Sequence, residues 1–225
     1  MTADPSTAGA AAHTVVHLLR HGEVYNPSGV LYGRLPGYHL SDRGRAMADR
    51  VAETLAQRTI THVISSPLER AQETAAPIAA ALGVEIKTDE RLIEAGNAFQ
   101  GLTFGVGDGS LRRPTQWVKL RNPFRPSWGE PYVEIAARML AAITDARDAA
   151  RGSEAVLVSH QLPVWTARSA LEHRRLWHDP RKRQCSLASL TTLHYDGDRL
   201  AEIVYSEPAA DLLPTQPGAT FSAGA

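Results

Sequence analysis

Two short apolar runs, far apart in the chain, restrict its fold more than any other feature. Val15 to Leu19 reads Val-Val-His-Leu-Leu, and Ala155 to Ser159 reads Ala-Val-Leu-Val-Ser. Brief runs of this kind, bounded by glycine or charge, are buried strands, and the second is of the type found in the middle of a parallel sheet. Both stop at a histidine. The first runs into Arg20-His21-Gly22-Glu23, the second into His160. A strand end that delivers Arg and His together, then Gly, suits the handling of an anion. Arg offers a permanently charged fork of donors. A neutral imidazole nitrogen is a base or a nucleophile. Gly lets the backbone turn close to a ligand.

The segments around these runs alternate between helix and strand patterns. After His21, Asn26 to Leu40 is rich in Gly, Pro and Tyr and reads as a loop beside a strand end. Ser41-Asp42 reads as a helix cap, with Met47, Val51 and Leu55 on one face of the helix it starts. His62 to Ser65 is a second strand. Ser66-Pro67 opens another helix, with Leu68, Ala71, Ala75, Ile78 and Leu82 inward and Gly83 at its end. Arg70 falls in the first turn of that helix, where its guanidinium and the free N–H groups of the helix start can face one anion. Val84 to Lys87 is a third strand candidate. Tyr132 to Ala150 is a helix with Ile135, Met139, Leu140 and Ile143 inward and Gly152 closing it, and a further helix follows His160. Ser186 to Tyr205 is a hairpin about Asp196-Gly197.

This order describes an α/β protein with a mostly parallel sheet and an antiparallel edge. Sheets of that type bind ligands at the carboxyl ends of their strands. Arg20, His21 and His160 all sit at such ends, so the pattern predicts that they meet.

The 225 residues suit one domain, placed over 13–207. Residues 1–12 read as a disordered arm and 208–225 as a disordered tail in which Leu212 and Leu213 can pack back. An insertion or lid is placed at about 96–131. Within it, Arg112, Arg113, Arg121 and Arg125 with Trp117 and Trp128 are expected to cover the pocket and select the leaving group. Lys plus Arg is 24 and Asp plus Glu is 24, which argues against a nucleic-acid or membrane partner. The single cysteine, Cys185, permits no internal disulfide. With no signal-peptide pattern, the expected location is the cytoplasm. The oligomeric state stays open, a homodimer among the options.

Four blocks then resemble the histidine phosphatase superfamily, with its phosphoglycerate mutase-like fold, a three-layer α/β/α sandwich. They are Arg20-His21-Gly22-Glu23 with Asn26, Ser65-Ser66-Pro67-Leu68-Glu69-Arg70-Ala71, Glu94, and Val158-Ser159-His160. Each is weak alone; in order they are specific. The resemblance implies that His21 attacks phosphorus and becomes a phosphohistidine. Arg20, Arg70 and His160 would hold the phosphoryl oxygens, and Asn26 would add its amide. Glu94 would protonate the leaving alcohol and then activate water. Gln161 and Arg34 complete the substrate-binding set. No metal or other cofactor is implied.

Chemistry asks for the same residue types. Phosphoryl transfer depends on positioning and charge neutralisation. The nucleophilic imidazole must keep a lone pair in line while its other nitrogen is pinned. His160 beside a dianion should be favoured as the cation, and phosphate should raise the Glu94 pKa. Glu23 and Glu130 are the fallback acids. Two departures stand out. Val24 replaces a hydroxyl residue common in the family, and Ala95 to Gly101 differs from the family's usual loop, leaving open how the Glu94 loop is held.

The expected function is that of a metal-independent phosphomonoesterase, a phosphoric monoester hydrolase of the histidine acid phosphatase kind, acting on a small phosphorylated metabolite. Two alternatives are a phosphoglycerate mutase-type transferase and a catalytically weak phosphate-binding interaction protein. Asp196-Gly197-Asp198, Cys185, Gly105-Val106-Gly107 and the pair His173/His178 fit no other catalytic or metal motif.

Overall fold

A computed structural model describes residues 12–102 and 129–213. The strands are β1 (His13–Arg20), β2 (Ile60–Ser65), β3 (Ile86–Thr88), β4 (Glu154–Ser159), β5 (Leu190–Asp196) and β6 (Arg199–Ser206). The helices are α1 (Asp42–Leu55), α2 (Glu69–Leu82), α3 (Tyr132–Ala149) and α4 (Gln161–Leu171). They form one sheet in the order β3-β2-β4-β1-β5-β6. The first four strands are parallel, and β5 runs antiparallel to both its neighbours. The mostly parallel sheet with an antiparallel edge is thus the observed architecture. Among the described residues no helix is long and apolar enough to cross a membrane.

Alternation along the strands feeds two cores. Val16, Leu18, Ala155 and Leu157 face Ile135, Met139 and Ile143 of α3 and Val164 of α4. Leu19, Val63, Val156 and Val158 face Met47 and Val51 of α1 and Ala71, Ala75 and Ile78 of α2. The result is a three-layer α/β/α sandwich. Leu212 and Leu213 do pack back on the second core.

Register levels the strand ends. Arg20 pairs with Ser159, and Ser65 with Val158. The residues that follow, His21, His160 and Ser66, therefore leave the sheet side by side. Asp89, which follows β3, ties back through its N–H to the Ser65 carbonyl at 3.0 Å, and the chain then reaches Glu94.

Several boundaries differ from the sequence pattern, and local hydrogen bonds account for two of them. Strand β3 starts at Ile86 rather than Val84, because the Val84 N–H closes the end of α2 on the Ala79 carbonyl. Helix α2 starts at Glu69, not at Ser66-Pro67. Leu68 is extended and its N–H reaches Ser66 Oγ at 3.4 Å, which keeps Ser66 in the turn. Strand β2 begins two residues earlier than His62, at Ile60.

The β1–α1 loop is held at very short range. The Ser41 hydroxyl caps α1 on the Gly44 N–H at 3.0 Å and donates to Glu23 Oε2 at 2.6 Å. A Cβ on Gly22 would lie 2.5 Å from the Gly44 carbonyl oxygen, and one on Gly44 would lie 2.0 Å from that of Glu23. Alanine for glycine inside a helix ordinarily stabilises by up to about 1 kcal/mol. Here the obstacle is backbone. Gly44→Ala should instead cost about 1–3 kcal/mol of unfolding free energy, as overpacked sites do, read as a lower denaturant midpoint. A variant as stable as the parent would contradict this packing.

Candidate active site

His21 leaves β1 into a fully buried position. Its Nδ1 donates to its neighbour's carbonyl, Gly22 O, at 2.7 Å. That bond fixes the tautomer and leaves a lone pair on Nε2, which faces Arg70 Nε at 3.3 Å. Burial lowers the His21 pKa well below its ordinary value; Arg70 and Arg20 push the same way, and the Gly22 bond only partly opposes them. The imidazole is therefore neutral at neutral pH, with its free nitrogen among cations. The pin on the other nitrogen, which no sequence pattern identifies, is this backbone carbonyl.

Two guanidinium groups flank it, each at most 2% exposed. Arg20 donates through Nη1 to the Cys185 carbonyl at 2.8 Å. Arg70 donates through Nη2 to Gly33 O at 2.7 Å, and its guanidinium lies 4.7 Å from the centre of the Tyr32 ring. Neither forms an ion pair with a carboxylate among the described residues. The His160 ring meets the His21 ring edge-on, with centroids 5.1 Å apart. His160 Nε2 lies 2.8 Å from Ser66 Oγ. That oxygen also accepts from the Leu68 N–H, and His160 Nδ1 has no protein partner among the described residues. Burial and the nearby cations lower the His160 pKa well below its usual value. A bound dianion would shift it back towards the cation, in which both ring nitrogens donate.

Glu94 completes the cluster. Its Oε1 accepts from the Ala95 N–H at 2.7 Å. Burial raises its pKa, against the pull of that bond and of Arg70, Arg183 and Arg20. The cause is therefore burial, before any phosphate is present. Among the described residues, seven buried side-chain nitrogen or oxygen atoms lack a protein partner, and five belong here: Arg20 Nε and Nη2, Arg70 Nη1, Glu94 Oε2 and His160 Nδ1. Buried polar groups are rarely left so. Five together define a place built to be filled by a polar ligand.

A brace holds the Glu94 loop. Arg34 Nε donates to the Glu94 carbonyl at 2.6 Å, and its Nη2 pairs with Glu130 at 2.8 Å. Arg138 grips the same carboxylate through Nε at 2.8 Å and donates to Arg91 O at 2.6 Å. Ser159 Oγ donates to Leu92 O at 2.7 Å. Asn97 and Gly129 form a short bridge beside it, closing the base of the expected insertion. Arg112, Arg113, Trp117, Arg121, Arg125 and Trp128 lie outside the described residues.

The remaining candidates fall in other places. Arg34 engages the brace rather than the cluster. The Asn26 amide is engaged with both backbone groups of Val30, at 2.8 and 3.1 Å. Gln161, next to His160, reaches the Cys185 carbonyl at 3.4 Å and accepts from Arg183 Nη1 at 3.2 Å. Glu23 is taken up by Ser41 and Arg43, and both oxygens of Glu130 by Arg34 and Arg138, so neither fallback acid is available. Sequence reasoning missed Ser66 as the partner of His160, and Arg183. Nothing in the run Arg181-Lys182-Arg183 singles out its last member. Among the described residues no three His, Cys, Asp or Glu side chains gather so as to hold a metal ion.

The family model of the histidine phosphatase superfamily (branch 1) matches residues 16–207, and the chain belongs to that family. It is 62% identical over 197 residues to an uncharacterised protein of Mycobacterium tuberculosis, Rv0525, covering 88% of this chain and 98% of that one. It is 32% identical over 195 residues to the "Probable phosphoglycerate mutase GpmB" of Yersinia enterocolitica, covering 77% and 82%. Among solved structures, the mycobacterial glucosyl-3-phosphoglycerate phosphatase Rv2419c is similar with a TM-score of 0.65 and 28% identity, covering 81% and 90%. The last two are named for mutase and phosphatase chemistry, that is, phosphoryl transfer.

A pH profile tests the two protonation states. A protonated Glu94 with a raised pKa is present at lower pH and lost as pH rises through that pKa. A neutral His21 with a depressed pKa persists until pH falls well below the ordinary imidazole value of about 6.5. With an alkyl phosphate, kcat should hold on the acid side and fall on the alkaline side. Glu94→Gln should abolish the alkaline fall and lower kcat by about 10²–10⁴-fold, and less with p-nitrophenyl phosphate. An acid limb near about pH 6.5, or a Glu94→Gln enzyme with an unaltered profile, would count against these assignments.

Proposed function

We propose that this protein is a metal-independent phosphomonoesterase that works through a phosphohistidine on His21, with a small phosphorylated metabolite as substrate. The observation that carries the reading is the set of unpartnered donors gathered around a neutral His21. Arg20, Arg70 and the His160 Nδ1–H would hold the three non-bridging oxygens, which carry the charge in the transition state. His21 Nε2 would attack phosphorus as the bond to the leaving oxygen breaks. Glu94 would give its proton to that oxygen, then take one from the water that attacks the phosphohistidine and releases phosphate. Its raised pKa supports the first step and leaves it a stronger base for the second. Guanidinium groups already supply the charge a metal would bring.

Arg34 serves this reading as a positioning residue for the acid loop. For Asn26, the observed bonds support a role in shaping the loop after His21. Mutase-type transfer uses the same phosphohistidine and is favoured by the likeness to GpmB. The two differ in whether phosphate is released or returned to a bound product.

Incubation with an isotopically labelled phosphomonoester, followed by mass spectrometry without acid, should place phosphate on His21. His21→Ala should lower kcat by at least ~10³-fold, chelator should leave the rate unchanged, and inorganic phosphate should be the product. Undiminished hydrolysis by His21→Ala would overturn the nucleophile. Interconversion of phosphoglycerates faster than phosphate release would favour the mutase.

A further inference from the structure

The backbone at His21 itself is held by main-chain partners. Its N–H donates to the Ser159 carbonyl at 3.1 Å, and its carbonyl accepts from the Ala188 N–H at 3.3 Å. The next group along, the Gly22 N–H, turns to a side chain of α2 instead and donates to Thr74 Oγ1 at 3.1 Å. Thr74 is fully buried and stands one helical turn after Arg70. Its hydroxyl donates to the Arg70 carbonyl at 2.7 Å, a bond that threonine in a helix interior can make to the preceding turn. A hydroxyl has one proton. With that proton on the Arg70 carbonyl, the oxygen is left to accept from Gly22, so the direction of both bonds is fixed.

These bonds close a circuit around the imidazole. His21 Nε2 faces Arg70 Nε at 3.3 Å. The Arg70 carbonyl receives the Thr74 hydroxyl, and that hydroxyl receives the Gly22 N–H. Gly22 returns to the ring through its carbonyl, which accepts from His21 Nδ1 at 2.7 Å. Besides His21 and Arg70, Thr74 supplies the only side chain in the circuit. Gly22 needs such an anchor. It has no side chain, because a Cβ would lie 2.5 Å from the Gly44 carbonyl oxygen, and glycine rotates more freely about its backbone dihedrals than any other residue. Among the described residues, Thr74 Oγ1 is the acceptor of the Gly22 N–H. Without that oxygen the N–H is a buried donor with nothing to receive it, and the peptide must turn to find an acceptor. The Gly22 carbonyl would turn with it and release Nδ1.

We propose that Thr74 is a positioning residue whose hydroxyl holds the Gly22 peptide in place, so that the His21 ring presents a bare Nε2 beside Arg70. The proposal rests on the phosphohistidine reading only in that His21 is the attacking group. Thr74 touches neither the ring nor the guanidinium and acts through the backbone of Gly22 and Arg70. Arg70 has a second support, its Nη2 bond to Gly33 O at 2.7 Å, and its carbonyl keeps the N–H partner that an α-helix provides. Loss of the Thr74 hydroxyl should therefore disturb the nucleophile while the groups that receive the phosphoryl oxygens stay in place. A change of that kind lowers kcat and leaves KM.

Thr74→Val keeps the shape and removes the hydroxyl; Thr74→Ser keeps the hydroxyl and removes the methyl. With p-nitrophenyl phosphate, Thr74→Val should lower kcat by about 10- to 100-fold with KM within about threefold of the parent. Thr74→Ser should keep kcat within about threefold of the parent. Proton–nitrogen NMR of ring-labelled protein should show the His21 proton on Nδ1 in the parent and in Thr74→Ser, and shared between Nδ1 and Nε2 in Thr74→Val. Thr74→Ala makes the same deletion with a smaller side chain and takes the place of the valine variant if that one does not fold. A parent that hydrolyses no phosphomonoester defeats the phosphatase reading, while the His21 tautomer in the variants still decides the role of Thr74. A hydroxyl-free variant with parental kcat or an unaltered His21 tautomer, a loss carried by KM alone, or a serine variant as slow as the hydroxyl-free one would overturn the proposal.

Discussion

Withdrawing an imidazole and two guanidinium groups from water, with no carboxylate paired to them among the described residues, is the constraint on which this structure turns. His21 is held neutral because its protonated form would be a third cation in a buried place. The same burial leaves Arg20 and Arg70 with unsatisfied N–H groups and raises the pKa of the Glu94 carboxyl. Each perturbation has the same origin, low polarity around a concentration of positive charge. Each would be relieved by an incoming dianion, which supplies acceptors, balances the guanidinium groups and draws His160 towards its cationic form.

The other carboxylates of the surrounding loops and strand ends are paired away from the centre. Glu23 is taken up by Arg43 and the α1 cap, Glu130 by Arg34 and Arg138, and Glu154 by His17 and Arg58 at the far end of β4. The pairing at Glu154 holds that carboxyl down at about 2. These ion pairs fix loops and strand ends, and the Arg34–Glu130–Arg138 group also sets where the Glu94 backbone lies. Structural arginines and site arginines are therefore distinguished by their partners. Those of the brace and the strand ends meet a carboxylate within the protein, and Arg20 and Arg70 meet neutral acceptors.

Much of this was legible in the sequence because it is local or periodic. The two apolar runs mark β1 and β4, the Ser41 cap and Asp196-Gly197 turn mark element ends, and the rule that ligands gather at carboxyl strand ends brings His21 and His160 together. Arg70 was placed by its position in the first turn of α2. What escaped depends on side chains that meet across long separations. Arg34 lies 60 residues from Glu94 and 96 from Glu130, so no spacing shows that it braces rather than binds. Whether Glu130 was free to act as an acid likewise depended on the distant Arg34 as well as on Arg138 of α3. Ser66 became the partner of His160 only because α2 begins at Glu69.

The central claim is that His21 is a neutral, Nδ1-protonated imidazole with a bare Nε2 at the pH of the reaction. Long-range proton–nitrogen NMR of ring-labelled protein reads both nitrogens directly. The account predicts a protonated Nδ1, an unprotonated Nε2 and no titration of either between about pH 5.5 and 8. A His21 that titrates near about 6.5, or that carries its proton on Nε2, would contradict it.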